Sequence, residues 1–205
     1  RRLLTEELTI HADFLSQGLS SEKFIFVSHK TYDQGVIGLV ASRLVESYFR
    51  PAVVISEGEM YSKGSARSVP GFNIIEFLRT FRHMLIDVGG HPMAAGFTIE
   101  TGKIEEFKSG IIESAMVKIS DELLVRTLKI DAEIDFPLVS ESLCNEIQSL
   151  APFGMGNPEP IFMSRNAVVN NVQEVGRDGK HLKIIFEQNG KVIEAIAFDH
   201  AGKNI

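Results

Sequence analysis

A chain of 205 residues with 44% apolar and 23% charged side chains has a soluble globular profile, long enough for a domain and a smaller companion. Its net charge of −6 argues against a general polyanion binder. Residues 1–120 carry 13 basic and 14 acidic side chains and residues 121–205 carry 8 and 13, so any nucleic-acid surface must be a local patch. The single cysteine, Cys144, excludes internal disulfides and four-cysteine zinc sites and suits a reducing cytoplasm, while no apolar run approaches the ~20 residues of a membrane span. A start on Arg1-Arg2 and a stop at Asn204-Ile205 read as an excised piece of something longer.

Residues 1–17 are expected to be helical, with Leu4, Leu8, Ala12 and Leu15 on one face. "KFIFVS" (23–28) reads as a buried strand, "QGVIGLVASRLVESYF" (34–49) as a helix closed by Pro51, and "AVVISE" (52–57) as a second strand. Strand, helix and strand over this span make a βαβ unit with parallel strands. The Gly35 and Gly38 spacing lacks a phosphate-loop pattern, so close helix packing is the reason assigned to these glycines.

"GEMYSKGSARSVPG" (58–71) reads as a strand and turn, followed by a helix over 73–85 with Asn73 as N-cap. "VGGHPMAAGFT" (88–98) then leads into a strand at 95–99, and "GKIEEFKSGIIESAMVKI" (102–119) is an amphipathic helix. Beyond it, 125–136 alternates as a half-exposed strand and 140–150 is a short helix. "APFGMGNPEP" (151–160) is a rigid loop, and the remainder is strand after strand with "RDGK" (177–180) as a hairpin turn. The expected fold class is α/β, a mixed sheet flanked by helices followed by a small OB-like β-barrel.

Two segments carry candidate chemistry. Gly89-Gly90 at a helix end would permit a sharp turn that exposes amides and presents His91, a donor to phosphate and a proton carrier near neutral pH. The alternative is a helix C-cap followed by an incidental loop histidine. In "KGSARS" (63–68), Ser65, Arg67 and Ser68 are donors, and Ser65 and Arg67 share one face of a strand, a hydroxyl and a guanidinium fork suited to phosphate. A solvated edge strand with an ion-paired arginine is the competing reading. In the barrel, Arg177, Lys180 and Lys183 gather around a hairpin as a weaker nucleic-acid contact, while Phe162 and Phe186 read as core rather than stacking platforms.

"GVIGLVASRLVE", "RPAVVIS", "KGSARSVPGFN", "VGGHPMAAGFT" and "LAPFGMGNPEPIF", in that order, resemble the RecJ family of bacterial single-stranded-DNA-specific exonucleases in the DHH phosphoesterase superfamily. The resemblance implies a connecting helix (1–20), a DHH-associated substrate-binding domain (21–121) and most or all of an OB-like domain (122–205). It places His91 and the Gly89 and Gly90 amides on the phosphate beside the scissile bond. Ser65 and Arg67 fall to a neighbouring or terminal 5′ phosphate, and Ser68 is counted with the phosphate-binding residues. Mn2+ or Mg2+ is expected on an N-terminal DHH domain absent from this chain, which by itself is expected to be inactive. The implied partners are single-stranded DNA and that missing domain, with no membrane, and the implied setting is DNA repair and recombination. The family's Trp-His before the Gly-Val-Ile-Gly segment is replaced here by Tyr32-Asp33-Gln34, so 32–34 stay outside the expected site. Two readings of other classes stay open, a stand-alone single-strand binding module and part of an oligoribonuclease or cyclic-dinucleotide phosphodiesterase.

Overall fold

The computed structural model describes residues 2–16 and 22–202; the ends of the expected connecting helix and of the OB-like domain, and the side chains of Leu4 and Leu15, lie outside the described residues. The chain forms two compact units, Arg1–Arg126 and Thr127–Ile205.

In chain order the first unit contains α1 (Arg2–Ser16), β1 (Ile25–His29), α2 (Ile37–Tyr48), β2 (Ala52–Ser56) and β3 (Tyr61–Arg67). There follow α3 (Ile74–Arg79), β4 (Leu85–His91), β5 (Ala94–Glu100) and α4 (Ile104–Lys118). The five strands make one mixed sheet in the order β1-β2-β3-β5-β4, with β1 and β2 parallel and every other pair antiparallel. The expected βαβ unit is present. Phe49 takes a left-handed backbone (φ 50°) to end α2 before Pro51, and the Asn73 side chain accepts from Glu76 N at 3.2 Å to start α3.

Strand alternation sorts the side chains into two cores. On one face Phe26, Val53, Ile55, Ala66, Ala95, Phe97 and Ile99 pack with Phe77 and Leu78 of α3 and Ile104, Phe107 and Ile111 of α4. The Phe97 and Phe107 rings meet edge to face, 5.3 Å apart. On the other face Ile25, Val27, Ala52 and Val54 are covered by Ile37, Val40, Ala41 and Leu44 of α2, with Leu8 and Ala12 of α1 behind them. The apolar part of that second cover serves β1 and β2, while the start of α2 at Gly38 lies over Ser65 and Arg67 of β3. The matching face of β3, β5 and β4 carries no apolar side chain of that core.

Two sequence expectations need correction here. The helix expected over 73–85 stops at Arg79; Met84 and Leu85 enter the core from a short 3-10 turn and from β4, so their helical spacing has a different origin. Gly89-Gly90 is not a turn after a helix. Both glycines and His91 lie in β4, which β5 draws into the sheet by register pairing.

The second unit holds β6 (Ala132–Glu133), α5 (Glu141–Gln148), β7 (Phe162–Met163), β8 (Val168–Val175), β9 (His181–Gln188) and β10 (Lys191–Ala197). Of the strand expected over 125–136 only β6 pairs, in parallel with β7. The other three form an antiparallel sheet in the order β10-β9-β8. The described strands of this unit thus form two separate sheets, with Leu182 and Ile184 of β9 buried. The loop 151–160 is tied by paired Gly154 and Asn157 backbones and by Asn157 Nδ2, which donates to the Leu150 and Pro152 carbonyls at 3.0 Å.

Candidate phosphate-binding platform

Antiparallel register brings three rows of side chains onto the face of β3, β5 and β4 that lacks an apolar cover. Arg67 is opposite Ala94, which is opposite His91; Ser65, Gly96 and Gly89 form the next row; Lys63, Thr98 and Asp87 form the third. Directly paired residues point to the same side of a sheet, so Arg67 and His91 share a face, separated by two strand spacings, about 10 Å. The backbone fixes them further: Ser68 N donates to Met93 O at 3.1 Å and Ile74 N to Pro92 O at 2.9 Å, pinning the β4–β5 turn to the segment after β3.

Beside the Arg67–Ala94–His91 row, the row of Gly96 and Gly89 is almost bare. A methyl carbon built on Gly89 would meet nothing within 4 Å, and one on Gly96 only the Gly64 carbonyl at 3.8 Å. Neither glycine has a positive φ. Nothing inside the protein requires glycine at either position, and the backbone there is open to close approach from outside. Gly90 differs, since its φ of 148° and the Ala94 carbonyl, 2.3 Å from a built methyl carbon, give it a backbone reason.

Arg67 is half-buried beneath α2. Its Nη1 donates to Ser65 Oγ at 3.1 Å and to Ala66 O at 2.8 Å, and among the described residues no carboxylate lies within ion-pair distance. Burial lowers its pKa from the usual guanidinium value, as desolvation disfavours the charged form. A half-buried cation without a counter-ion, in a chain with more acids than bases, is poised for an external anion. His91 is exposed at the other end of the same row.

The third row is internally satisfied. The Thr98 hydroxyl donates to Asp87 Oδ2 at 2.8 Å, and Lys63 Nζ donates to Thr98 Oγ1 at 2.6 Å and lies 4.0 Å from Asp87 Oδ2. Lys63, Ser65, Asp87, Gly96 and Thr98, with Gln34 and Gly35 before α2, line a shallow groove of about 510 Å³ on this face. Sequence reasoning missed Lys63 and Gln34. For Lys63 the signal was present, since counting back by two from Arg67 and Ser65 reaches it.

Ser68 leaves the expected set. It follows Arg67 and so turns to the opposite side, where it is buried and its Oγ donates to Phe72 O at 2.6 Å. Tyr32 is also buried, its hydroxyl 3.1 Å from His11 Nδ1 and its pKa pushed up to about 12 by burial. Asp33 Oδ1 accepts from Gly35 N at 2.7 Å in the turn before α2.

The basic hairpin of the second unit is not a free cationic patch. Arg177 is exposed in the turn, but Lys180 pairs with Asp178 at 3.6 Å and Lys183 with Glu194 on β10 at 2.9 Å. Phe186 is partly buried, its ring 6.5 Å from that of buried Phe136, and serves packing rather than stacking on bases.

Two family models match the chain, "DHHA1 domain" over residues 21–116 and "RecJ OB domain" over 130–205. The chain belongs to the RecJ family. It is 34% identical over 185 residues to the single-stranded-DNA-specific exonuclease RecJ of Bacillus subtilis, covering 89% of this chain and 23% of that protein. With RecJ of Thermus thermophilus it shares 31% over 182 residues, covering 89% and 26%. The chain thus spans about a quarter of the length of these relatives. Crystal structures of Thermus thermophilus RecJ in complex with Mn2+ and with Mg2+ cover all of this chain and 29% and 31% of those chains, with TM-scores of 0.81 and 0.78 at 27% and 28% identity. Among the described residues, no group of three or more His, Cys, Asp or Glu side chains is placed to hold a metal ion.

Proposed function

We propose that this chain is the substrate-binding C-terminal part of a metal-dependent 5′→3′ single-stranded-DNA exonuclease of the cytoplasm, acting in DNA repair and recombination. The observation that carries the reading is the bare glycine floor of Gly89 and Gly96, next to the row that holds Arg67 without an ion-pair partner and exposed His91 on the same sheet face. A strand's sugar-phosphate backbone is the ligand such a floor admits: flat contact with peptide, one anion at each flank, and no side chain reading a base.

In this reading Ser65 and Arg67 hold the terminal 5′ phosphate or its neighbour, and His91 with the Gly89–Gly90 backbone faces the phosphate at the scissile bond. Mn2+ or Mg2+ on an N-terminal DHH domain supplies the activated water when bound. The residues here bind and orient the strand and stabilise charge on the phosphoryl oxygens. The chain alone is expected to bind single strands weakly and to cut nothing.

The test is Arg67→Ala and His91→Ala in the full-length enzyme, DHH domain included. Each removes one charge-assisted contact, so kcat/KM on single-stranded DNA should fall at least about tenfold while the melting temperature holds. Turnover like the unaltered enzyme in both variants would remove these residues from the site.

A further inference from the structure

We propose that Gly38 is a positioning residue that sets the Arg67 guanidinium; this rests on the phosphate-platform reading above. Gly38 is the second residue of α2, and a methyl carbon there would lie 2.9 Å from Arg67 Nη2 and 3.2 Å from Ser65 Oγ. The helix therefore lies directly on the hydroxyl-guanidinium pair, with no atom to spare. α2 cannot back away, because Ile37, Val40, Ala41 and Leu44 hold it on β1 and β2 in a closed core. The flexible partner must yield. The tip of Arg67 would swing off, and with it would go the bonds from Nη1 to Ser65 Oγ at 3.1 Å and Ala66 O at 2.8 Å that fix the fork.

The helix backbone at position 38 does not call for glycine, and an ordinary helical residue such as alanine has the higher helix propensity. Gly38 is thus a local concession of helix stability to the geometry of a side chain on a neighbouring strand. Its function is felt through Arg67, and Gly38 itself touches no substrate.

A double-mutant cycle in the full-length exonuclease that carries this region tests it, read as kcat and KM on a 5′-phosphorylated oligothymidylate with melting temperature measured alongside. G38A should lower kcat/KM at least about threefold at an unchanged or higher melting temperature, and G38A/R67A should be no worse than R67A alone. If R67A is impaired and G38A is not, the positioning role falls while the platform reading stands. The same holds if G38A costs as much in the R67A background. An unimpaired R67A overturns the platform reading itself. Should G38A lower the melting temperature, G38A/R67A decides: recovery of stability on removing the guanidinium supports the contact, and no recovery overturns it.

Discussion

Filling the glycine floor separates ligand binding from folding, and Gly96→Val is the sharpest way to do it. Valine at 96 adds three carbons to the open face between Ser65 and Gly89, where the nearest atom to the first of them is the Gly64 carbonyl at 3.8 Å. The backbone there is extended and has no positive φ to relieve. Replacing a strand glycine by a β-branched residue should therefore stabilise the fold by about 1 kcal/mol, from reduced unfolded-state freedom and better strand propensity. For a chain of this size that corresponds to a melting temperature about 2–4 °C higher. Binding moves the other way. A backbone lifted off the floor cannot reach both flanks, and losing one charge-assisted hydrogen bond is worth ~1.5–3 kcal/mol, or roughly 10–150-fold in affinity. Thermal melts with fluorescence anisotropy on 5′-phosphorylated, 3′-labelled single strands at low salt read both quantities. Unchanged affinity in a folded Gly96→Val protein would mean the strand does not lie on this floor. A melting temperature several degrees lower would mean the position is not open.

Gly64→Ala should behave in the opposite sense, because its methyl would fall 2.1 Å from the ring of Phe97, which is buried against Phe107. Overpacking of this kind costs about 1–3 kcal/mol, and a melting curve that does not shift downward would refute the packing assigned to β3 and β5. Asp121 is paired with Lys23 at 2.9 Å and its pKa is lowered, first by that hydrogen bond. A depressed carboxylate pKa contributes stability that is complete above the unfolded value, about 4, and is lost as pH falls through the folded value. Asp121→Asn should accordingly be slightly less stable at neutral pH, and the two proteins should converge below about pH 4; a gap that widens in acid would contradict the sign. Salt titration of single-strand binding should give a slope of about 0.7 for the phosphate that Arg67 holds, with Arg67→Ala removing most of it. A slope several-fold steeper would place the contacts elsewhere.

What could be read from the residues was whatever depended on local period. The alternation of Ser65 and Arg67 put both on one side of a strand, the βαβ unit followed from segment order, and "HLKIIFEQ" and "KVIEAIAFD" fell on β9 and β10. What escaped depended on which strands meet. Gly89-Gly90 carries the composition of a turn, and only pairing with β5 makes it strand; the same pairing brings His91 opposite Ala94 and into line with Arg67. Ser68 looked like a third donor because chemistry was counted without orientation, and one residue past Arg67 the side chain points to the other side. Lys180 and Lys183 looked like a patch because their carboxylate partners were out of view: Glu194 lies on the neighbouring strand, and Asp178 in the turn itself.

The electrostatics of the two units point to the same face. The second unit carries the larger acidic excess, and two cations of its basic hairpin are closed by carboxylates, so its field offers a polyanion little. In the first unit the third row of the platform neutralises itself through Lys63, Thr98 and Asp87, whereas the Arg67 row does not. On the proposed reading, attraction for phosphate would be short-ranged and confined to one row of one sheet face. A site of that kind would select by fit rather than by long-range steering, and in the proposed reading the missing methyl groups at Gly38, Gly89 and Gly96 would then matter as much to it as the charges.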